Sequence, residues 1–385
     1  MVEAYGVFEG GGVKGIALVG ALARIQKENH RIQFKGYGGT SAGAVVAALS
    51  AVGYPASDEH ARNMWKAGEP APDLLTVMTH LNYQKTFLDG NDKNPLEKIL
   101  EIDRQLRPNL DVLANDVSTL WQQIKNCSGS LNPFPYVRLV SSIRGKMEEH
   151  KDRIKAIVEA WRLFQLIKSR KGIYGTVSFT EWIQNTLSQG PSAPAKVTFG
   201  NILQKSKINL KVVTTSLQER NARTYGPEKW PEKSVADAVR QSMSIPFFFH
   251  PCSDNDDYLV DGGIVSNFPT WVFDEDRKID NAPVIGFRLI PDQDTDAKEL
   301  ANQDPPFGRF GAYAASVFNT ILEGAQNVQT DTSRNVGMIE IKTPKKITAY
   351  RFDLSEEDRK ELYQRGYETA DNALNDKYFR QAVRL

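Results

Sequence analysis

Between Tyr5 and Val52, two apolar runs each end in a glycine-rich turn, and each turn opens a run of helical character. Tyr5-Gly6-Val7-Phe8 leads into Gly10-Gly11-Gly12-Val13-Lys14-Gly15, and residues 33–38 lead into Gly39-Thr40-Ser41-Ala42-Gly43. Residues 4–8 and 33–38 read as buried strands. Residues 14–27 read as a helix with Ile16, Leu18, Ala21, Leu22 and Ile25 on roughly one side. Ala42 to Val52 is small and apolar, as expected for a helix buried behind the second turn. Strand, glycine turn and helix, given twice in succession, imply a parallel α/β sheet whose site lies at the C-terminal ends of its strands.

The two turns carry chemistry. Consecutive glycines let backbone N–H groups face one point, and the helix that follows adds its positive end, so the first turn reads as an oxyanion hole. Gly10, Gly12 and Gly15 also match a dinucleotide fingerprint, which needs an acidic residue about 20 positions further on. Residues 31–40 hold no Asp or Glu, and a second glycine turn stands in that place. Lys14 reads either as added positive potential or as a solvated lysine at a helix start. The second turn is a G-x-S-x-G pattern in the strand-to-helix context that exposes a serine hydroxyl on a sharp turn. Gly39 and Gly43 allow close backbone approach around Ser41, which reads as a nucleophile; an N-cap serine would suit the same position. A nucleophile beside an oxyanion hole points to acyl transfer or ester hydrolysis.

A serine nucleophile needs a base. The histidines are His30, His60, His80, His150 and His250, and none follows Asp261, so the order Ser, acid, His fails for that Asp. His250 lies in Pro246–Pro251, which reads as a packed loop. Asp261-Gly262-Gly263 follows the short strand Tyr258-Leu259-Val260. Partial burial would raise the Asp261 pKa enough for it to take a serine proton directly. An ordinary Asp-Gly turn accounts for the same three residues equally well.

The rest of the chain supports one large α/β domain with additions. Its 385 residues are 41% apolar and 25% charged, ordinary globular usage that allows a full core. A net charge of +1 argues against a nucleic-acid-coating protein and leaves room for a local basic face. Two cysteines, Cys127 and Cys252, make neither a disulfide framework nor a zinc site and fit a reducing, cytoplasmic setting. No signal peptide and no run long enough to span a membrane is read, so membrane contact would be peripheral. Residues 75–195 carry helix periods, at Leu113, Val117, Leu120 and Ile124, and again at Ile154, Ile157, Trp161, Phe164 and Ile167. Ser128 to Pro135 reads as a loop between them. Arg144 to Lys171 holds nine basic and four acidic residues, a pattern that suits either a cap helix or an anionic membrane surface. Strands return at residues 208–215, 283–289 and, as an edge, 338–342. Tyr225 to Trp230 reads as a turn-rich loop, 234–243 as a helix, and Ser355 with Asp358 as a capping box opening a last helix.

Gly10–Gly15, Gly39–Gly43 and Asp261–Gly263, three motifs in order at strand ends, together resemble the patatin-like phospholipases. Ala238–Pro246 and Asn267-Phe268-Pro269 are similar too. The likeness covers residues 4–75 and 196–290, is looser over 336–375, and does not extend to the helical block. It implies a three-layer α/β sandwich with a mostly parallel central sheet. A catalytic domain over 1–299 would hold a helical insertion at about 75–195, and 300–385 would add a strand and helices. The resemblance implies a Ser41–Asp261 dyad without histidine, with an oxyanion loop of Gly10, Gly11, Gly12, Val13, Lys14 and Gly15, the N–H groups of Gly11, Gly12 and Val13 foremost. Gly39, Thr40, Ala42 and Gly43 would form the nucleophile elbow, and Gly262 and Gly263 would complete the Asp motif. The implied activity is hydrolysis of acyl esters of phospholipids or lysophospholipids, through an acyl-enzyme, with no metal or other cofactor and no need for calcium. The other readings are a phospholipase effector switched on by a small molecule or partner, and a nonenzymatic lipid-binding member of the fold. The sequence sets no head group, chain length or oligomeric state.

Overall fold

The computed structural model describes residues 1–87, 110–127, 133–149, 171–254, 256–292 and 336–385 except 345, 348 and 350, with scattered helical positions between 151 and 170. The chain divides into two compact units. The larger takes in Met1–Asn91, Tyr174–Asn302 and Ser316–Leu385, and the smaller takes in Asp92–Ile173 and Gln303–Ala315.

The larger unit is built on one sheet. Its strands are β1 (Val2–Phe8), β2 (Ile32–Thr40), then, after the short β3 (Gly172–Tyr174), β4 (Asn209–Ser216) and β5 (Asn221–Tyr225). After β6 (Phe247–Phe249), which pairs outside this sheet, come β7 (Cys252–Asp254), β8 (Asp257–Asp261), β9 (Val284–Pro291) and β10 (Val336–Thr343). The order is β10-β9-β1-β2-β4-β8-β7, with β5 also on β4. The first five strands of that order run parallel, while β5, β8 and β7 pair antiparallel. The sheet is therefore mixed and mostly parallel, as the glycine-turn pattern predicts. Ala4 to Phe8 are all buried, which suits a central parallel strand covered on both faces.

Helices flank the sheet. Helix α1 (Gly15–Gln26) crosses Glu356–Asn375 at backbone contact. A Cβ on Gly20 would stand 2.0 Å from the Tyr363 carbonyl oxygen, and one on Gly366 would stand 1.9 Å from that of Ala17. Ser355 and Asp358 form the expected capping box at the start of Glu356–Asn375. Helix α2 (Ala42–Ala51) is buried throughout and packs on β2 and β4. Elsewhere Phe268, Val272 and Phe273 close a core with Tyr5, Val7, Val213 and Val284, and the Phe273 ring stacks on Tyr5 at 4.2 Å.

Two readings need correction. Tyr225 ends the strand Asn221–Tyr225 rather than opening the turn-rich loop. The polar, partly exposed residues of that segment give no apolar alternation, and only pairing with β4 makes it a strand. Pro133–Pro135 open the helix Pro133–Glu149 of the smaller unit rather than ending a loop, because proline is tolerated in a first helical turn. Residues 128–132 lie outside the described residues, as do Ile154, Ile157, Phe164 and Ile167.

Within the smaller unit, Leu110–Cys127 and Pro133–Glu149 pack on each other, and Lys146 reaches Asp116 at 3.0 Å. Trp121 and Trp161 are exposed. Among the described residues no helix is long and apolar enough to cross a membrane. Among the same residues no group of three or more His, Cys, Asp or Glu could hold a metal ion.

Candidate active site

Ser41 stands between β2 and α2 with φ 53° and ψ −125°, a backbone conformation that side-chain-bearing residues rarely adopt and that costs about 1–3 kcal/mol. Glycines make that turn sterically achievable. A Cβ on Gly39 would lie 2.5 Å from the Gly43 carbonyl, and one on Gly43 would lie 2.3 Å from the Phe8 carbonyl oxygen. The Ser41 N–H donates to Ser242 Oγ at 2.9 Å, and Ser242 Oγ donates to the Val213 carbonyl at 2.6 Å. The turn is thus bolted to β4 through the helix Val235–Ser242. Ser41 is buried at 6% exposure, so its hydroxyl faces a cavity rather than an open surface.

Sheet register brings Asp261 to Ser41. Thr40 on β2 pairs with Val213 on β4, and the next residue of β4, Thr214, pairs with Asp261 on β8. Strands two apart in a sheet are about 10 Å apart at the backbone, and the sharp Ser41 turn and the Asp261 side chain close that gap. Gly262 keeps the approach clear, since a Cβ there would lie 2.3 Å from the Val213 oxygen and 3.0 Å from Thr40 Cγ2. Asp261 Oδ1 accepts the Gly263 N–H at 2.7 Å, and the Asp261 N–H donates to the Ser244 carbonyl at 2.9 Å. Asp261 Oδ2 is buried with no hydrogen bond of good geometry. Burial pushes the carboxyl up to about 7, against the lowering effects of the Gly263 N–H and the Ser41 hydroxyl. In the rotamer present, Ser41 Oγ donates to Met243 Sδ at 3.9 Å.

The first glycine turn lies against the same serine. A Cβ on Gly10 would come within 3.1 Å of Ser41 Cβ, and one on Gly15 within 3.3 Å of Ala42 Cβ. Four of its six N–H groups have acceptors in the protein. Gly10 donates to the Asn267 carbonyl at 3.0 Å, Val13 to that of Ala349 at 2.9 Å, Lys14 to that of Gly11 at 3.2 Å, and Gly15 to that of Gly12. Gly11 and Gly12 are left as the N–H groups without a protein acceptor among the described residues. The expectation that Val13 stands with them meets a physical obstacle, because Ala349 takes its proton. Gly12 has φ 56°, and a Cβ there would lie 1.9 Å from the Ala349 oxygen. Lys14 is half-buried, and its charge lowers the pKa of Glu9.

A cavity of about 40 Å³ opens beside Ser41, with Gly12, Val13 and Ala42 at its floor. Its walls are almost wholly apolar, from Met78 and Tyr83 to Phe87, Trp182, Phe249 and Phe352. Phe352 stacks on Phe87 at 5.6 Å and Tyr83 at 6.4 Å. Among the described residues no histidine lines this cavity. Sequence reading missed this aromatic wall, because its members come from four separate segments with no shared periodicity. It also missed Ser242 and Glu9, whose signals were a serine at a helix end and an acid next to a glycine turn.

The family model described as patatin-like phospholipase matches residues 6–274. Uncharacterized protein YqhO of Bacillus subtilis (strain 168) is 30% identical over 315 residues, covering 79% of this chain and 77% of that protein. Uncharacterized protein R571 of Acanthamoeba polyphaga mimivirus is 27% identical over 158 residues, 41% of this chain and 52% of its own length. Among solved structures, VipD from Legionella pneumophila matches 97% of this chain with a TM-score of 0.48 at 18% identity. ExoU, from its complex with SpcU in the type III secretion system of Pseudomonas aeruginosa, matches 99% with a TM-score of 0.36 at 15% identity. The chain spans 66% of the length of VipD and 52% of that of ExoU.

Proposed function

The chain belongs to the patatin-like phospholipase family, and on that premise we propose that it is a serine acyl hydrolase cleaving fatty-acyl esters of phospholipids or lysophospholipids through a Ser41–Asp261 dyad. The observation that carries this reading is a strained, glycine-framed serine whose neighbour is a buried carboxyl titrating at about 7. A base with that pKa is half ionised near neutral pH and strong enough to take a hydroxyl proton in the transition state.

In the first step Asp261 Oδ2 takes the Ser41 proton as Oγ bonds to the ester carbonyl carbon. The carbonyl oxygen gains the negative charge and is met by the Gly11 and Gly12 N–H groups, each worth about 3–4 kcal/mol in comparable sites. Collapse of the tetrahedral intermediate breaks the ester C–O bond, and the departing lysolipid or alcohol oxygen takes the proton from Asp261. Water then gives a proton to Asp261 as its oxygen attacks the acyl carbon, and fatty acid leaves as Ser41 Oγ recovers that proton. The apolar cavity supports an acyl chain as the group placed beside Ser41. No step calls for a metal, so turnover is expected in the presence of a chelator. Cys252, a buried free thiol, is compatible with a reducing cytoplasmic setting.

One observation favours an enzyme that is switched on by a ligand or partner: Ala349 holds the Val13 N–H. Peripheral membrane contact is supported by the exposed Trp121 and Trp161 and the basic excess of Arg144–Lys171. Trp161→Ala should lower turnover on anionic vesicles and leave a short-chain soluble ester unaffected; equal loss on both would refute membrane contact.

The test of the reaction is incubation of the full chain with mixed phospholipid liposomes and chelator, beside Ser41→Ala, with products identified by mass spectrometry. Fatty acid and lysolipid from the wild type only are expected. Product from both would remove Ser41 as nucleophile, and product from neither would shift the reading to another acyl ester or to an enzyme awaiting its activator.

A further inference from the structure

Glu9 is a carboxylate at 0% exposure, one residue before the glycine turn. Burying a charged carboxylate is expensive, and an amide or apolar side chain would fill the same space at less cost. What only a carboxylate offers is two oxygens that both accept. Glu9 uses both. Oε1 accepts Asn267 Nδ2 at 3.3 Å, and Oε2 accepts the Leu289 N–H. Each partner then reaches the turn. Asn267 Nδ2 also donates to the Gly10 carbonyl at 3.2 Å, and the Asn267 carbonyl accepts the Gly10 N–H at 3.0 Å. The Leu289 side chain stands where a Cβ on Gly11 would lie, 2.3 Å from its Cδ1. Asn267 directly follows Ser266, whose carbonyl accepts Thr40 Oγ1 at 2.9 Å, so the same few residues tie the turn to the Ser41 elbow.

Resting on the acyl-hydrolase reading, we propose that Glu9 and Asn267 are positioning residues, a clamp that fixes Gly10–Gly12 so that the Gly11 and Gly12 N–H groups hold the oxyanion. Neither touches a reacting atom. Three consecutive glycines lose more conformational freedom on ordering than any other tripeptide, so the turn needs an external hold on each residue. Gly10 has Asn267, Gly11 has Leu289 and Gly12 has Ala349.

The clamp depends on protonation. A neutral Glu9 carries its proton on one oxygen, where it opposes an N–H donor, and one of the two bonds is lost. Burial pushes Glu9 up to about 8; the Leu289 N–H, Arg288, Asn267 and Lys14 oppose that rise. Arg288 on β9 and Lys14 after the turn are the charges facing it. Turnover should therefore climb as both Asp261 and Glu9 ionise, in a rise broader than one titrating group gives.

The experiment compares the full chain with Glu9→Gln and Asn267→Ser on a short-chain soluble ester across pH, alongside amide hydrogen exchange. Glutamine keeps the volume and loses one acceptor. Displacement of reacting groups by about 1 Å costs roughly 100-fold, so kcat should fall between about 10- and 100-fold with KM nearly unchanged. The rise should narrow in Glu9→Gln to that of a single group, Asp261. Amides of residues 10–13 should exchange faster in both variants. A Glu9→Gln enzyme with the wild-type kcat and an unchanged pH profile would overturn the clamp. Wild-type chain that turns over no ester shifts the acyl-hydrolase reading to another ester or to an enzyme awaiting its activator, and exchange in the two variants alone then judges the clamp: unchanged protection at 10–13 overturns it, and lost protection supports it. Should Glu9→Gln not fold, the wild-type chain decides, since protection at 10–13, corrected for intrinsic exchange, must rise through pH 8.

Discussion

Replacing Asp261 by asparagine should end turnover and at the same time stabilise the folded chain, increasingly so as pH rises. The carboxyl titrates at about 7 in the fold against 3.8 for an ordinary aspartate, with burial as the largest cause. The folded state therefore prefers the neutral acid. The stability this gives is present in full below about pH 4 and is lost as pH climbs through about 7. At ~1.4 kcal/mol per pH unit the displacement corresponds to about 4 kcal/mol. Asparagine keeps an oxygen for the Gly263 N–H and never ionises. Its own unmet N–H groups cost something, but that cost does not vary with pH. The gap in Tm between Asp261→Asn and wild type should widen by roughly 5 °C between pH 4 and pH 8, because an unfolding entropy of about 2 cal/mol/K per residue makes 1 kcal/mol worth about 1 °C in a chain of 385 residues. Glu9 titrates in both proteins and cancels from the difference. Thermal melts at matched ionic strength read this directly. Parallel curves of Tm against pH would mean that Asp261 is not held at a raised pKa, and the direct proton transfer from Ser41 would lose its physical basis.

Ser41→Gly should remove turnover and raise stability by about 1 kcal/mol or more, because glycine adopts φ 53° without strain; a lower Tm than wild type would show that the Ser41 backbone stores no strain. Phe352→Ala removes the ring stacked on Phe87 and Tyr83 at the mouth of the apolar cavity. It should raise kcat/KM for longer acyl esters relative to short ones, measured on a chain-length series; an unchanged ratio would place the acyl chain elsewhere.

Much of this could be read from local sequence. The glycine turns, the Ser41 elbow and the small-residue helix behind it are short-range patterns, and sterics of adjacent residues enforce them. The Ser355–Asp358 capping box is equally local. Edge strand β5 was missed because Asn221–Tyr225 has no apolar alternation of its own, and the helix at Pro133 because a proline can mark either a loop or a first turn. Asp261 could be read as a base or as a turn residue, since nothing in Asp-Gly-Gly says which residues lie opposite.

The sequence by itself determined where the chain turns, where a serine stands on a sharp strand-to-helix turn, and which segments are buried, because these follow from backbone sterics and periodicity over a few residues. Only the tertiary structure decided the order β10-β9-β1-β2-β4-β8-β7 and the adjacent register positions Val213 and Thr214, which set Thr40 and Asp261 on the two sides of β4. It also decided that Glu9 is buried under Asn267 and Leu289, and that Ala349 holds the Val13 N–H. Those facts depend on partners separated by tens to hundreds of residues, and pairing over such distances is fixed by how whole layers pack rather than by any short run of amino acids.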